Sequence, residues 1–334
     1  MKHTAIWNAA TFALAFPLAL VAQGVPPPSV APPAITSPMA PSEVVASAPA
    51  ADWVAIDPAD LLVMELSADA RGRARRVIIQ LMPAPFAQGW VSNMRALAAA
   101  HWWDGTSVNR VQDNYVVQWG DASEAKPLPD GLRTVPQAEY EVDFQGASLS
   151  ADRYSAVSPN FFGGGNDPYG RSEFYAGWPV ASMFVGTGLR ARNHVWPVHC
   201  YGMVGVGRGL SPDTGTGAEL YTVIGHAPRH LDRNIALVGR VIEGIEHLSS
   251  LPRGTGALGF YESAEERAVI TSVRLGSELA AADLPRFQYL NTNSSSFYRY
   301  SDARANRRDA FFIVPAGGAD ICNVPVPVRR VPAP

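Results

Sequence analysis

The chain has 334 residues, of which 47% are hydrophobic, so it is long enough to build one large domain or two of ordinary size. Its 27 Lys and Arg residues against 30 Asp and Glu residues give a net charge of −3, which excludes the basic surface typical of nucleic-acid-binding proteins. The 29 glycines and 28 prolines favour turn-rich β structure over a helical bundle. We therefore expect a mainly β protein whose partners are neutral peptides or small molecules.

The first 22 residues have the pattern of a secretory signal peptide. Lys2 precedes an apolar run, from about residue 9 to residue 22, that ends in small residues. The run is too short and too interrupted by proline to favour spanning a bilayer. We expect an exported, periplasmic protein with no stable membrane insertion after the signal is removed. An uncleaved amphipathic anchor is the alternative.

Residues 23–50 are rich in Pro, Ala and Ser and carry almost no charge, which predicts a semi-extended linker. The next clear element is RVIIQLM at 76–82, whose alternation and β-branched residues are typical of a strand. A helix is predicted to begin near Pro85. Its buried face carries apolar residues at helical spacing, which are Phe86, Trp90, Met94 and Leu97.

The run VQDNYVVQWG at 111–120 predicts a strand with a neighbouring turn. Alternation places Tyr115 and Val117 on one side of it and Val116 and Gln118 on the other. Further strands, several of them rich in glycine, are predicted at 199–209, 219–225, 235–241 and 267–277, with a short helix at 244–251. Many strands and few helices favour an antiparallel barrel or sandwich.

In the segment 76–121, a strand, a helix beginning near a proline, a Trp-Asp-Gly-Thr turn and an Arg-Val…Gln-x-Gly-Asp segment follow one another in that order. This segment resembles the first half of a cyclophilin-type peptidyl-prolyl isomerase. The segments YGMVGVGRG, PDTGTGAELYTVIG and HLDRNIALVGRVIEG resemble the second half. The resemblance covers about residues 70–121 and 199–278.

The resemblance implies a closed eight-stranded antiparallel barrel with two flanking helices, in a domain spanning residues 51–278. The connection at about 122–198 is longer than in the simplest members of the family, so we expect an insertion there that rebuilds the rim of the site. Residues 279–334 lie beyond the last matching motif, and we expect them to form a C-terminal extension packed on the domain.

The same resemblance implies a proline pocket on the outer face of the barrel. Arg110 occupies the position of the catalytic arginine, and Gln118 is assigned to catalysis with it. The residues assigned to substrate binding are Tyr115, Val116, Tyr221, His230 and Leu231.

Four positions differ from the family's common pattern. Val116 stands where a methionine is common, and His230 stands where many members have tryptophan or another residue. Ile235 replaces a frequent histidine, and Asn109 replaces the histidine that commonly precedes the arginine. These differences concern substrate affinity more than the reaction, because the arginine, the glutamine and the apolar floor remain.

A guanidinium and a carboxamide facing an apolar wall suit a reaction in which no bond breaks. Rotation about an X–Pro bond has a barrier of roughly 18–20 kcal/mol because the imide is stabilised by resonance. In the twisted state the prolyl nitrogen becomes pyramidal and gains a lone pair, to which Arg110 can donate a hydrogen bond. We therefore predict a peptidyl-prolyl cis-trans isomerase that acts on proline-containing polypeptides of exported proteins and needs no cofactor.

Two other classes of function remain open on the sequence alone. A cyclophilin-like module could bind proline-containing segments, or act as a chaperone, with weak or no isomerase activity. A structural protein of the cell envelope, tethered through the Pro-rich linker, would show neither turnover nor peptide binding. A protease-coupled isomerisation assay separates these classes, because a module without turnover leaves only the spontaneous rate.

Other motifs in the sequence point to chemistry only weakly. Gly205, Gly207 and Gly209 resemble a phosphate-binding loop, but their spacing is wrong for a dinucleotide fingerprint and no helix pattern follows. No GxSxG nucleophile elbow is found. We expect no metal site, because four histidines lack the spacing of paired ligands and are read as solvated or core residues: His194, His199, His226 and His230.

The two cysteines, Cys200 and Cys322, are predicted to form a disulfide, because two thiols in an oxidising compartment usually pair. Two unpaired buried thiols are the alternative. The apolar run FFIV shortly precedes Cys322. We expect Phe311, Phe312 and Ile313 to pack on the domain, because an exposed run of this kind lowers solubility.

Overall fold

A computed structural model describes residues 38–145, 154–155, 167–186 and 192–331. The predicted signal peptide and most of the predicted linker lie outside these residues. The helices are α1 (Pro41–Ala46), α2 (Gln88–Ala99), α3 (Glu246–Ser249) and α4 (Ser295–Ala305). The strands are β1 (Trp53–Ala55), β2 (Leu61–Leu66), β3 (Arg75–Leu81), β4 (Ser107–Val111), β5 (Val116–Gly120), β6 (Val142–Gln145), β7 (Tyr154–Ser155), β8 (Arg171–Tyr175), β9 (Trp178–Val185), β10 (Arg192–Pro197), β11 (Met203–Val206), β12 (Leu220–Val223), β13 (Leu237–Glu243), β14 (Ile270–Leu275), β15 (Phe287–Leu290) and β16 (Val328–Arg330).

Eight strands form one antiparallel sheet that curls into a nearly closed barrel. Their order is β14-β2-β3-β13-β11-β12-β5-β4. The two edge strands meet where the Val108 amide donates to the Ala268 carbonyl at 2.9 Å and the Ile270 amide donates to the Thr106 carbonyl at 2.8 Å. These contacts leave little free edge on the sheet. The predicted mainly β fold with an eight-stranded antiparallel barrel is confirmed.

The barrel interior and its outer face carry different apolar groups because side chains alternate along each strand. On β5, Val117 and Trp119 join the interior core, which also buries the apolar face of α2. Val116 belongs to a separate apolar cluster on the outer face. The predicted placement of Tyr115 beside Val117 is wrong: Tyr115 precedes β5 and packs with Val116.

The insertion forms a second, five-stranded antiparallel sheet with the order β6-β10-β9-β8-β7. It packs against the rest of the protein through aromatic rings. Tyr140 stacks on Trp90 of α2 with ring centroids 5.3 Å apart, and Phe174 meets Phe297 of α4 edge-on at 4.9 Å. The insertion is therefore held against both the barrel and the C-terminal extension.

The C-terminal extension forms a small sheet that includes a strand from near the start of the described chain. β15 pairs with both β1 and β16 in a three-stranded antiparallel sheet. A disulfide links Cys200 to Cys322, with an S–S distance of 2.04 Å. Within the described residues, no helix combines the length and apolar character needed to cross a membrane.

Two sequence-based expectations for these outer segments are wrong. The last part of the predicted linker is the short helix α1, whose Val44 is buried in the core and which packs against α4. Phe311 and Ile313, expected to pack on the domain, are 84% and 96% exposed, and Phe312 is also exposed. The extension is anchored instead by other apolar residues, which are Phe297, Tyr300, Ile321 and Val324. The FFIV run lies in an irregular segment between the buried residues of α4 and those near Cys322, so it is not needed to hold the extension in place.

Candidate active site

Arg110 projects from β4 at an irregularity in its pairing with β5. Val108 pairs with Trp119 and Arg110 pairs with Gln118, so one extra residue, Asn109, lies between them. The Asn109 amide Nδ2 donates to the Gly120 carbonyl at 3.2 Å, which ties the bulge to β5. Bulges of this kind redirect a neighbouring side chain. Here the bulge places Arg110 and Gln118 directly opposite each other.

The guanidinium of Arg110 is half-buried and bonded to neutral acceptors. Its Nε donates to the Leu258 carbonyl at 2.7 Å, its Nη1 donates to Gln118 Oε1 at 3.2 Å, and its Nη2 donates to Gln112 Oε1. Three of its five N–H groups are used in this way, which leaves two for a substrate. Among the described residues Arg110 has no carboxylate partner. Burial lowers the pKa of Arg110, although a guanidinium stays protonated at neutral pH.

Gln118 lies between Arg110 and Glu219. Its side chain accepts from Arg110 and also bonds to the Glu219 carboxylate, which in addition accepts from the Asp121 backbone amide. Burial raises the pKa of Glu219 to about 7, and repulsion from Asp121 adds to the shift. The carboxylate approaches the backbone so closely that a Cβ on Gly120 would lie 1.8 Å from its Oε1. A glycine is needed there for Glu219 to reach Gln118.

An apolar cluster lies next to Gln118 on the outer face of the barrel. Its buried members are Val116, Tyr221 and Val223, and the partly buried rings and chains of Tyr115 and Ile235 pack against them. Tyr221 pairs with Gln118 across β12 and β5, so ring and amide are neighbours. The Arg110 guanidinium lies 5.7 Å from the centroid of the Tyr115 ring. The structure therefore brings Arg110, Gln118, Tyr115, Val116 and Tyr221 together.

The two remaining predicted residues lie in the short 3-10 helix Arg229–Leu231. His230 is exposed and, with Tyr115, lines a cavity of about 1010 Å³ beside the apolar cluster. Leu231 is half-buried and is not a member of that cluster, whereas Ile235 is. His230 thus borders the site, and Leu231 is the predicted residue least connected to it. No group of three or more residues in the described part of the chain could hold a metal ion.

Two residues of the site were missed by sequence reasoning. Phe260 forms an isolated β-bridge with Arg110, and its ring centroid lies 5.4 Å from the guanidinium. It follows an irregular turn, so no periodicity marks it. Glu219 had a usable signal: it stands two residues before Tyr221, and alternation along a strand places both on the same face.

The chain matches the family model described as cyclophilin type peptidyl-prolyl cis-trans isomerase/CLD over residues 71–275, which is more than half of its length. This span includes all barrel strands except β2, the insertion between them and all residues of the site. No curated protein sequence matches the chain.

Solved structures are similar to it as well. The crystal structure of the cyclophilin AquaCyp293 from Hirschia baltica aligns at 22% identity with a TM-score of 0.62, covering 83% of this chain and 93% of that one. Two crystal structures of a cyclophilin type isomerase from Cryptosporidium parvum, the first determined with the dipeptide Ala-Pro, align at 10% and 12% identity. Their TM-scores are 0.35 and 0.36, and the alignments cover 64% and 65% of this chain and 98% and 96% of theirs. By the match over residues 71–275 and the barrel it shares with the Hirschia baltica protein, the chain belongs to the cyclophilin-type peptidyl-prolyl cis-trans isomerase family.

Proposed function

We propose that the protein accelerates X–Pro rotation through a hydrogen bond from Arg110 to the prolyl nitrogen. The observation that carries this proposal is the setting of Arg110: a half-buried guanidinium, bonded only to neutral acceptors, beside an apolar cluster. A carboxylate partner would hold the guanidinium in an ion pair and compete with the substrate. Neutral acceptors orient it and leave two N–H groups free to donate.

The barrier is lowered because Arg110 binds the twisted state more strongly than either planar state. In the planar imide the nitrogen lone pair is delocalised and accepts poorly. In the twisted state the nitrogen is pyramidal, and its lone pair can accept from a charged donor. Partial desolvation of Arg110 strengthens that bond. Interactions made only in the transition state are the ones that raise the rate.

The apolar cluster is proposed to hold the pyrrolidine ring while the peptide on one side of the bond turns. Val116 and Tyr221 form its buried floor, and Tyr115 lies at its edge. Gln118 has a different role. Its amide orients Arg110, and its second amide hydrogen can donate to a substrate carbonyl beside the proline. His230 is proposed to contact the residues next to the proline from its position at the border of the site, and Leu231 is proposed to take part through its place beside His230 in the same 3-10 helix.

We further propose that the clients are exported, proline-containing polypeptides. The pattern of residues 1–22 supports export, because a cationic start and a short apolar run are typical of a signal peptide. The disulfide between Cys200 and Cys322 supports it independently, because such bonds persist in oxidising compartments. Fractionation of the native host, followed by detection of the mature protein, tests the localisation.

The activity is tested with a protease-coupled isomerisation assay on a short Ala-Pro peptide. We expect Arg110→Ala to lower kcat/KM by about two to three orders of magnitude, the usual scale for removing one electrostatic donor. Arg110→Lys restores only part of the rate, because an ammonium lacks the planar fork of donors. The matched control is Arg71→Ala, which removes an exposed arginine of the β2–β3 loop. Near-normal turnover of Arg110→Ala would refute the proposed mechanism. A wild-type protein that leaves the spontaneous rate unchanged but binds the peptide would be a binding module.

A further inference from the structure

The hydroxyl of Tyr221 forms a hydrogen bond with a buried histidine, His199. Tyr221 is only 6% exposed and packs with Val116 and Val223 in the apolar cluster. Its hydroxyl lies 2.9 Å from Nε2 of His199, which is fully buried. The ring of Tyr221 thus forms part of the pocket floor, while its hydroxyl makes a polar contact with His199.

The tautomer of His199 follows from its second partner. Its Nδ1 lies 2.8 Å from Asp232 Oδ1, and the same oxygen accepts from the His199 backbone amide at 3.0 Å. The carboxylate acts as an acceptor in both contacts, so Nδ1 carries the proton and Nε2 is the acceptor. Burial lowers the pKa of His199, which keeps the ring neutral. Tyr221 must therefore donate its hydroxyl proton to Nε2.

These contacts continue from Asp232 into the insertion. Arg229 Nε donates to Asp232 Oδ2 at 2.6 Å, and its Nη1 donates to Asp167 Oδ2 at 3.1 Å. Ser172 Oγ, on β8, donates to the same Asp167 oxygen at 2.7 Å. Because Arg229 is 6% exposed, its charge depends on these two carboxylates. We call Tyr221, His199, Asp232, Arg229 and Asp167 the buried network.

The space around the Tyr221 hydroxyl is closed on another side by the backbone of β11. Gly205 is the direct strand partner of Tyr221. A Cβ at Gly205 would lie 2.3 Å from both Cζ and the hydroxyl oxygen of Tyr221. The glycine therefore lets the tyrosine reach His199, and the close backbone limits movement of the ring towards β11.

We propose that His199 is a positioning residue of the proline pocket, which holds the ring of Tyr221 in place for the isomerisation. Through Asp232 and Arg229, the same role extends to Asp167 in the insertion. This inference rests on the proposed function, because it concerns the floor of that pocket. It assigns the insertion a part in positioning the pocket floor, through Asp167.

The proposal has a physical reason in the geometry of the reaction. The prolyl nitrogen must stay within hydrogen-bonding distance of Arg110 while the imide twists. The apolar floor fixes the pyrrolidine ring for that purpose, and a displacement of about 1 Å can lower a rate by up to about 100-fold. A tyrosine ring whose hydroxyl is bonded cannot tilt without breaking that bond. A network that fixes the ring acts on turnover more than on peptide affinity.

The first test is Tyr221→Phe, which keeps the ring and removes the hydroxyl. We expect kcat to fall about fivefold to tenfold, the equivalent of one hydrogen bond, while KM changes less than about twofold. The ¹⁵N resonance of His199 Nε2 should shift towards the value of an unbonded imine nitrogen. An unchanged kcat, with the resonance shifted, would overturn the inference.

The second test is a double-mutant cycle between the two ends of the buried network. Asp167→Asn is expected to lower kcat about threefold and to move the His199 resonances. If both ends act through one network, the variant with Tyr221→Phe and Asp167→Asn loses no more activity than Tyr221→Phe alone. If the two residues acted independently, the fold losses of kcat in the two single variants would multiply in the double variant. The matched control is Asp143→Asn in the same insertion, a partly exposed carboxylate paired with Arg192, which should leave kcat unchanged.

Activity of the wild type and of Arg110→Ala separates this inference from the proposed function. If the wild type isomerises the peptide and Arg110→Ala does not, the proposed function holds. In that case, the role of the network is refuted by either of two results. One is a double variant whose loss of kcat equals the product of the two single losses, and the other is full activity in Asp167→Asn. Should Tyr221→Phe fail to fold, the inference is decided by Asp167→Asn against Asp143→Asn at equal thermal stability. A wild type without turnover would refute the proposed function itself.

Discussion

The guanidinium of Arg110 lies 5.4 Å from the centre of the Phe260 ring, and the backbones of these two residues form an isolated antiparallel bridge. Leu258, two residues earlier, also accepts a hydrogen bond from Arg110. The turn that carries Phe260 therefore orients the guanidinium through both its backbone and a side chain. The negative face of an aromatic ring attracts a cation, so the Phe260 ring offsets part of the cost of burying the Arg110 guanidinium.

We expect Phe260→Ala to lower kcat/KM about fivefold, from the loss of a cation–π contact worth about 1 kcal/mol at a partly desolvated site. Phe260→Leu keeps apolar bulk without the ring and should recover less than half of the loss in free energy. The measurement is peptide isomerisation at constant protein stability. Leu210→Ala, at a residue that is 91% exposed, is the control and should have wild-type activity. Equal activity of wild type and Phe260→Ala would show that the ring does not orient Arg110.

Glu219 should give the enzyme a pH profile centred near 7. Because burial raises the pKa of Glu219 to about 7, the carboxyl is protonated below that pH and ionised above it. The ionised form accepts from the Gln118 amide, which leaves Gln118 Oε1 to Arg110. The protonated form can donate to Oε1 and compete with Arg110. We expect kcat to rise about threefold as the pH increases from 5.5 to 8.5, a difference of about 0.7 kcal/mol.

The control for this profile is Glu219→Gln, which is uncharged at every pH. Its kcat should be independent of pH over the same interval, because a glutamine at this position cannot ionise and its contact with Gln118 is the same at every pH. A profile that persists in Glu219→Gln would assign the titration to another group. A wild-type profile that falls with pH would contradict the proposed competition for Gln118.

Removal of the disulfide should destabilise the fold without abolishing the chemistry. Cys200 and Cys322 are 122 residues apart, and closing a loop of that length restricts the unfolded chain. The chain-entropy estimate gives a loss of about 4–5 kcal/mol in the free energy of unfolding for the variant with both cysteines changed to serine. Urea unfolding measures it, and the reduced wild type serves as the matched comparison. If both cysteine peptides were alkylated without reductant, the disulfide would not exist in the isolated protein.

The anchoring of the C-terminal extension is tested by two apolar residues that differ in burial. Phe297 is 1% exposed and packs edge-on against Phe174, so Phe297→Ala should cost about 3–5 kcal/mol in the free energy of unfolding. Ile313 is 96% exposed, and Ile313→Ala should change stability by less than about 0.5 kcal/mol. Both are measured by urea unfolding. A large loss in Ile313→Ala would mean that the FFIV run packs on the domain in solution.

The parts of the fold that were predictable are those with local patterns. The β-branched alternation at 76–82 corresponds to β3, and the apolar spacing through Trp90 and Met94 corresponds to α2. The five-stranded sheet of the insertion was not predicted, because its pairing depends on contacts between distant segments. The burial of the FFIV run was predicted wrongly, because hydrophobicity alone does not show which apolar residues of a segment are buried: Phe297 is 1% exposed, whereas Ile313 is 96% exposed.

The candidate site also contains residues that sequence motifs predict and residues whose contacts only the structure shows. Arg110, Gln118 and Tyr221 stand in ordered motifs, and the structure brings them together across β4, β5 and β12. His199 was read from the sequence as solvated or core, and it is fully buried. Its two hydrogen-bond partners could not be foreseen, because Asp232 is 33 residues away and Tyr221 is 22 residues away. Contacts between loops and strands of this kind follow from the folded topology and leave no periodic signal.

The pairing of strands from opposite ends of the chain sets the order in which the molecule can be completed. β2 pairs with β14, and β1 pairs with β15. A polypeptide that emerges from the ribosome or from a translocation channel amino end first cannot close the barrel until residue 275 has appeared, and it cannot form its disulfide before Cys322. Such non-local pairing slows folding. β1 therefore has no strand partner, and β2 has only one, until nearly all of the described chain has been made.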